Sequence, residues 1–409
     1  MIANQPAYER ALHEFRCFTG DPVASVNAAL AEQPGFVMGH MLLAYMYLLS
    51  TERAAVAVGR QALEQASRES ATANEQGHLA TVEHLVHGRW HAAARVLEDL
   101  SLDHPHDALA LQAGHLIDFY TGNARMLRDR IARALPQWSP GMPGHHALLG
   151  MHAFGLEETA DYAAAERAGR LALELEPLNA WAHHAVAHVM EMQNRREDGI
   201  AWMRSREPHW SQQSAMAVHN SWHLALYHLG LNQTDEVLAL FDRPIHGARS
   251  PLALDLVDAS ALLWRLQLRG VDVGERWQTV ADGWLPLAHD GGHYAFNDAH
   301  AMMAFVGAQR HADAEALLAA QRAALDAPGD NAMFTREVGQ PLCEALWAFG
   351  RADHARCVEL LRPLLGQAHR FGGSHAQRDV IDLTLIEAAR RDGQLALYRG
   401  LLAERARPH

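Results

Sequence analysis

Cysteine is nearly missing from this chain: Cys17, Cys343 and Cys357 are the only three in 409 residues, with no C-x-x-C spacing. That excludes a disulfide-stapled secreted scaffold and fits a reducing compartment, so the cytoplasm is the expected location. Positive charge is also short. Lys and Arg total 35 against 48 Asp and Glu, a formal charge of −13, which argues against nucleic acid and anionic membrane surfaces, because both need a basic face. The longest apolar run, Phe36 to Leu49, is interrupted by Gly39 and His40 and is too short to span a bilayer, and MIANQPAYER lacks the basic-then-apolar order of a signal peptide. Period-2 alternation is essentially absent, as are a Gly-rich flavin or nucleotide fingerprint and an H-E-x-x-H motif. No strand-rich fold, flavin, nucleotide or zincin chemistry is expected.

What the chain does have is a repeat. The segment from Gly88 (GRWHAAARVLEDLSLDHPHDALALQAGHLIDFYTGN) aligns with the segment from Ala160, placing Trp90 on Tyr162, Pro105 on Pro177 and Asp107 on Asn179. The offset, 160 minus 88, is 72 residues, two periods of about 36 and close to the tetratricopeptide helix-turn-helix unit. Small turn residues that open Ala/Leu-rich helices recur at Gly20, Thr51, Gly88, Gly122, Ala160, Arg195, Gly230, Gly270, Gly307, Gly350 and Gly393. Each unit reads as a shorter amphipathic helix followed by a longer one, with Asn179 an N-cap between them. The expected fold is therefore an all-α, tetratricopeptide-like superhelix of about eleven degenerate helix pairs filling residues 1–409 as one solenoid. Proline-containing stretches at Pro136 to Gly144, Pro286 to Gly292 and Pro328 to Asn331 are expected to be enlarged loops between helices.

The second excess is histidine, 28 residues. In a tetratricopeptide array one helix of each unit lines the concave face, and here those helices carry His184, His188 and Glu191, then His219, Trp222 and His223, then Asp258 and Arg265, then Asn297 and His300. His184 with His188 and His219 with His223 are i, i+4 pairs, each on one helical stripe with Cβ atoms about 5–6 Å apart. Two such pairs suit a transition metal such as zinc, with His184, His188, His219 and His223 as ligands. They equally suit metal-free acid/base chemistry, with His188 or His223 as base, Glu191 orienting it, and His219, Asn297 or His300 stabilising negative charge. His184, Trp222, Arg265 and Asn297 would contact substrate. Glu157 and Glu158 read as end-of-helix contacts outside the site, and Trp264 as a wedge between repeats.

At WAHHAVAHVMEM, HNSWHLALYHLG, DASALLWRL, the pair FNDAH with MMAF, GMHAFGLEE and GVDVGERW the chain resembles the StaR-like family, which includes the animal proteins called tetratricopeptide repeat protein 38. The likeness spans nearly the whole chain and is densest over 145–310. It implies a helical, tetratricopeptide-like fold. One branch is associated with antibiotic biosynthesis, which adds metal-dependent oxidation of an aromatic substrate to the possible activities. The first expectation is a small-molecule metabolic enzyme with a His/Glu-lined concave cavity and hydrolytic or proton-transfer chemistry. The alternative is an interaction scaffold whose concave groove takes a peptide or protein. Nothing in the sequence speaks to oligomeric state.

Overall fold

The protein is described here by a computed structural model covering residues 6–288 and 291–406. Among the described residues every extended element is a helix, and an isolated β-bridge pairs Thr19 with Ser214. The fold is all-α and tetratricopeptide-like. No helix of the described residues is long and apolar enough to cross a membrane.

The repeat is written in its turns. Backbone φ is positive at Gly20, Thr51, Gly88, Gly122, Ala160, Gly270 and Gly393, and at Asn194, Asn232, Gln309 and Ala352, which lie within two residues of the other four expected turns. The residue after the left-handed position donates its N–H five residues back: Arg89 to the His84 carbonyl, Asp161 to Leu156, Arg195 to Met190 and Asp353 to Ala348, all at 2.8–2.9 Å. This is the Schellman closure, which satisfies the last carbonyls of one helix and aims the chain into the next. The predicted 72-residue offset holds residue for residue. Trp90–Asp103 maps onto Tyr162–Leu175, and Ala108–Tyr120 onto Ala180–Met192. The caps match too, with Asp107 Oδ1 accepting from Ala110 N at 2.9 Å and Asn179 Oδ1 from Ala182 N at 3.0 Å.

Two expectations about the elements need correction. The helices of a pair are nearly equal in length, 14 residues in Tyr162–Leu175 and 13 in Ala180–Met192. What distinguishes them is burial: Ala180 through Met190 is buried all round, whereas Tyr162–Leu175 buries one stripe, Ala165, Gly169, Ala172 and Leu173. Pro286, expected in a loop, lies inside helix Arg276–Ala288. It sits in the final turn, where a lost N–H and a ring clash disturb only the helix end.

The chain divides into two compact units, Met1–Glu191 with Arg195–Leu224, and Met192–Asn194 with Ala225–His409. The first closes on itself. Gly20 N donates to Gln213 O at 2.7 Å and Ala215 N to Phe18 O at 2.8 Å, while Gln112 Nε2 reaches the Phe15 carbonyl at 2.9 Å. Phe18 stacks on Trp181 with ring centroids 5.3 Å apart. Among these rings lies a void of only about 10 Å³, bordered by Phe18, Gln112, His115, Met151 and Trp181, room for a single water. Side chains leave little room at this point of the interior. A buried ion pair, Arg130 Nε to Asp118 Oδ2 at 2.7 Å and Nη2 to Oδ1 at 3.1 Å, ties Ala124–Ala134 to Ala108–Tyr120.

In the second unit, helix Ala253–Leu268 packs against both Ala295–Gly307 and His375–Arg391. Trp264 is fully buried and donates Nε1 to Thr384 Oγ1 at 2.9 Å, 120 residues along the chain.

Candidate functional site

Helix Ala180–Met192 starts at the Asn179 cap and stops at the left-handed Asn194. Between those two ends the i, i+4 spacing puts His184 and His188 on the same side. Helix Ala217–Gly230 brings His219 and His223 to meet them. One nitrogen from each of the four rings lies within 4.8 Å of the others. His184 Nε2 and His219 Nε2 face each other at 3.1 Å, so one donates and the other accepts. Ring centroids are 4.4 Å apart for His184–His188 and His188–His223, and 4.8 to 5.1 Å for His184–His219, His219–His223 and His184–His223. His184, His188 and His223 are 2 % exposed or less, and His219 is half-buried.

An aromatic shell encloses the tetrad. Phe154 lies 5.2 Å from both His184 and His188, Trp181 4.9 Å from His184, and Trp222 stacks on His219 at 5.4 Å with planes 15° apart. Burial among these rings, with His188, His219, His223 and His115 adding like-charge repulsion, holds His184 well below the ordinary imidazole range. His188 Nδ1 also lies 3.5 Å from Glu157 Oε2, both side chains fully enclosed. Glu157, Glu158 and His188 form a second close group.

Glu157, at the end of helix His145–Glu157, is thus the carboxylate beside His188, although sequence reasoning placed Glu191 there. Glu191 is half-buried near the end of its own helix and belongs to neither group. The one available signal was the acidic pair closing the otherwise apolar GMHAFGLEE. Trp222, expected to wall a pocket, is 0 % exposed and packs on the imidazoles. His300, Asn297 and Arg265 belong to the second unit. His300 Nδ1 is bonded to the Phe296 carbonyl at 2.8 Å, and burial lowers its pKa to about 4. Arg265 donates to the carbonyls of Ala261 and Ala376 at 3.0 and 2.7 Å, and Asn297 is buried in helix Ala295–Gly307.

Accessible space lies elsewhere in the first unit. An open cleft of about 380 Å³ is bordered by Glu9, His13, Arg16, the loop 140–144, His146 and Glu176. None of these residues is among the site residues expected from the sequence.

No family model matches the chain. A solved structure described as the crystal structure of the yeast Tom70 is similar over 99% of this chain and 92% of that one, with a TM-score of 0.45 and 11% identity. The expectation of a small-molecule metabolic enzyme is overturned. Its cavity required imidazoles facing open space, and His184, His188 and His223 are packed against one another and against Phe154, Trp181 and Trp222.

Proposed function

We propose that this chain is a cytoplasmic, tetratricopeptide-like interaction scaffold that binds a segment of a protein partner. The repeat rhythm runs through both units, so we take residues 1–409 as one array, and on the His/Trp strings named above we take it as a member of the StaR-like family. Three buried free thiols fit a reducing compartment.

The supporting observation is an open cleft in the first unit. It holds about 380 Å³ and opens to solvent. An open recess accepts a protruding side chain or short peptide, whereas a small-molecule site usually buries most of its ligand. Carboxylates of Glu9 and Glu176, the Arg16 guanidinium and the apolar Met142 and Pro143 share its border, so apolar contact and charge recognition are available together.

A photo-crosslinking residue at Met142 in the full chain tests this, with one at exposed Leu252 as control. The reading expects a discrete partner from Met142 and none from Leu252. Binding of that purified partner should weaken tenfold or more, about 1.4 kcal/mol, in Glu176→Lys. No partner from Met142, or unchanged affinity in Glu176→Lys and Glu9→Lys, would overturn it.

A further inference from the structure

We propose that His184, His188, His219 and His223 form a closed site for one divalent transition-metal ion, a staple between helix Ala180–Met192 and helix Ala217–Gly230. This rests on the tetrad alone and is independent of the partner-binding reading.

Three other buried histidines each bond a backbone carbonyl: His40 that of Pro34 at 2.8 Å, His183 that of Pro177 at 2.9 Å and His300 that of Phe296 at 2.8 Å. His184 instead faces another imidazole. Four nitrogens on two helices, one from each ring, lie within 4.8 Å of one another, close enough to share one ion. A zinc-like ion with bonds of about 2.0–2.1 Å spaces its ligand nitrogens about 3.3 Å apart, so each ring moves by less than about 1 Å to close the site. The 3.1 Å between His184 Nε2 and His219 Nε2 already matches that edge.

Charge and orientation agree with the geometry. Neutral imidazoles bring no charge to a dication, and a buried dication needs anions nearby. Glu157 and Glu158 stand against His188, with Glu157 Oε2 3.5 Å from Nδ1. A carboxylate behind a ligating imidazole holds the proton on Nδ1, presents Nε2 to the metal and raises its basicity. Four protein ligands inside an aromatic shell leave no coordination position for substrate, the arrangement of a structural centre. Imidazole donors favour zinc, copper, nickel or cobalt over calcium or magnesium. Half-buried His219 marks the entry side.

A second candidate group, His13, Cys17, His146 and Glu176, borders the cleft. Burial raises the Cys17 thiol to about 12, which disfavours the thiolate a metal needs. The two groups differ in sulfur, and the test uses that difference.

Full-length protein is stripped with chelator and titrated with cobalt(II) chloride, then zinc chloride. The expected result is one cobalt per chain with the strong visible absorption of a tetrahedral centre, no sulfur-to-cobalt charge-transfer band, and displacement by zinc. His184→Ala and His223→Ala abolish binding, Cys17→Ser leaves it intact, and Glu157→Gln weakens it about 10- to 100-fold. Should the buried alanine variants fail to fold, the half-exposed His219→Ala and the wild-type spectrum still decide. A wild-type chain that binds no cobalt, a sulfur band, or binding that survives His219→Ala and fails in Cys17→Ser would overturn the proposal.

Discussion

Replacing Gly155 by alanine probes the closed interior directly. A Cβ at this position would lie 2.5 Å from Leu127 C and O and from Arg128 N, all backbone atoms of helix Ala124–Ala134 that cannot rotate aside. Ordinary contact begins near 3.4 Å, so the two helices must separate by about 1 Å. Overpacking of this kind costs about 1–3 kcal/mol, and the rigid obstacle puts the cost at the upper end. Alanine returns about 1 kcal/mol of helix propensity, leaving a net loss of about 2 kcal/mol. Urea unfolding with wild type, Gly155→Ala and two controls reads it out. Gly169→Ala meets the Val186 Cγ2 methyl at 2.6 Å with its next neighbours at 3.5 Å and 3.6 Å, and Gly141→Ala meets nothing within 4 Å. The expected order of loss is Gly155, then Gly169, then Gly141 near zero. Because Phe154 and Glu157 flank Gly155 and touch the tetrad, the first variant should also weaken cobalt binding. A Gly155→Ala protein as stable as wild type would refute the reasoning.

Other outcomes follow from the same packing. Ala160 holds φ at +65° with a Cβ, so Ala160→Gly should stabilise by about 0.5–1 kcal/mol in urea melts. Arg130→Met strands the buried Asp118 carboxylate and should cost about 3–5 kcal/mol, most of it recovered in Arg130→Met with Asp118→Leu. Burial holds His300 at about 4 and, against a raising bond to Leu127, His115 at about 3. Both folded values lie below the unfolded one, so below about pH 6.5 the unfolded chain takes up protons the folded chain refuses and stability falls with pH. Each should remove about 2 kcal/mol between pH 6.5 and pH 5, and denaturant melts of His300→Gln should show a shallower pH slope.

The turns were legible because a helix end leaves local chemistry behind: Gly88, Gly122, Gly270 and Gly393 stand at the left-handed positions themselves. Where an asparagine, glutamine or alanine takes that role, at Asn194, Asn232, Gln309 and Ala352, the apparent turn slipped by a residue or two. The i, i+4 spacing likewise announced that His184 and His188 share a face. It could not tell whether that face looks onto water or onto another helix, which depends on helix Ala217–Gly230 bringing His219 and His223 against it. Glu157 escaped for the same reason: it reaches His188 from helix His145–Glu157, some thirty residues back in the chain.

Histidine accessibility tests most directly whether the tetrad is enclosed. Brief diethyl pyrocarbonate treatment of the folded full chain at neutral pH, followed by peptide mass spectrometry, reads each imidazole separately. His184, His188 and His223 should stay unmodified while exposed His87 and His91 react, and all five should react once urea unfolds the chain. Modification of His188 and His223 in the folded chain at the rate of His87 would mean the imidazoles face solvent, and the account of a sealed site would be wrong.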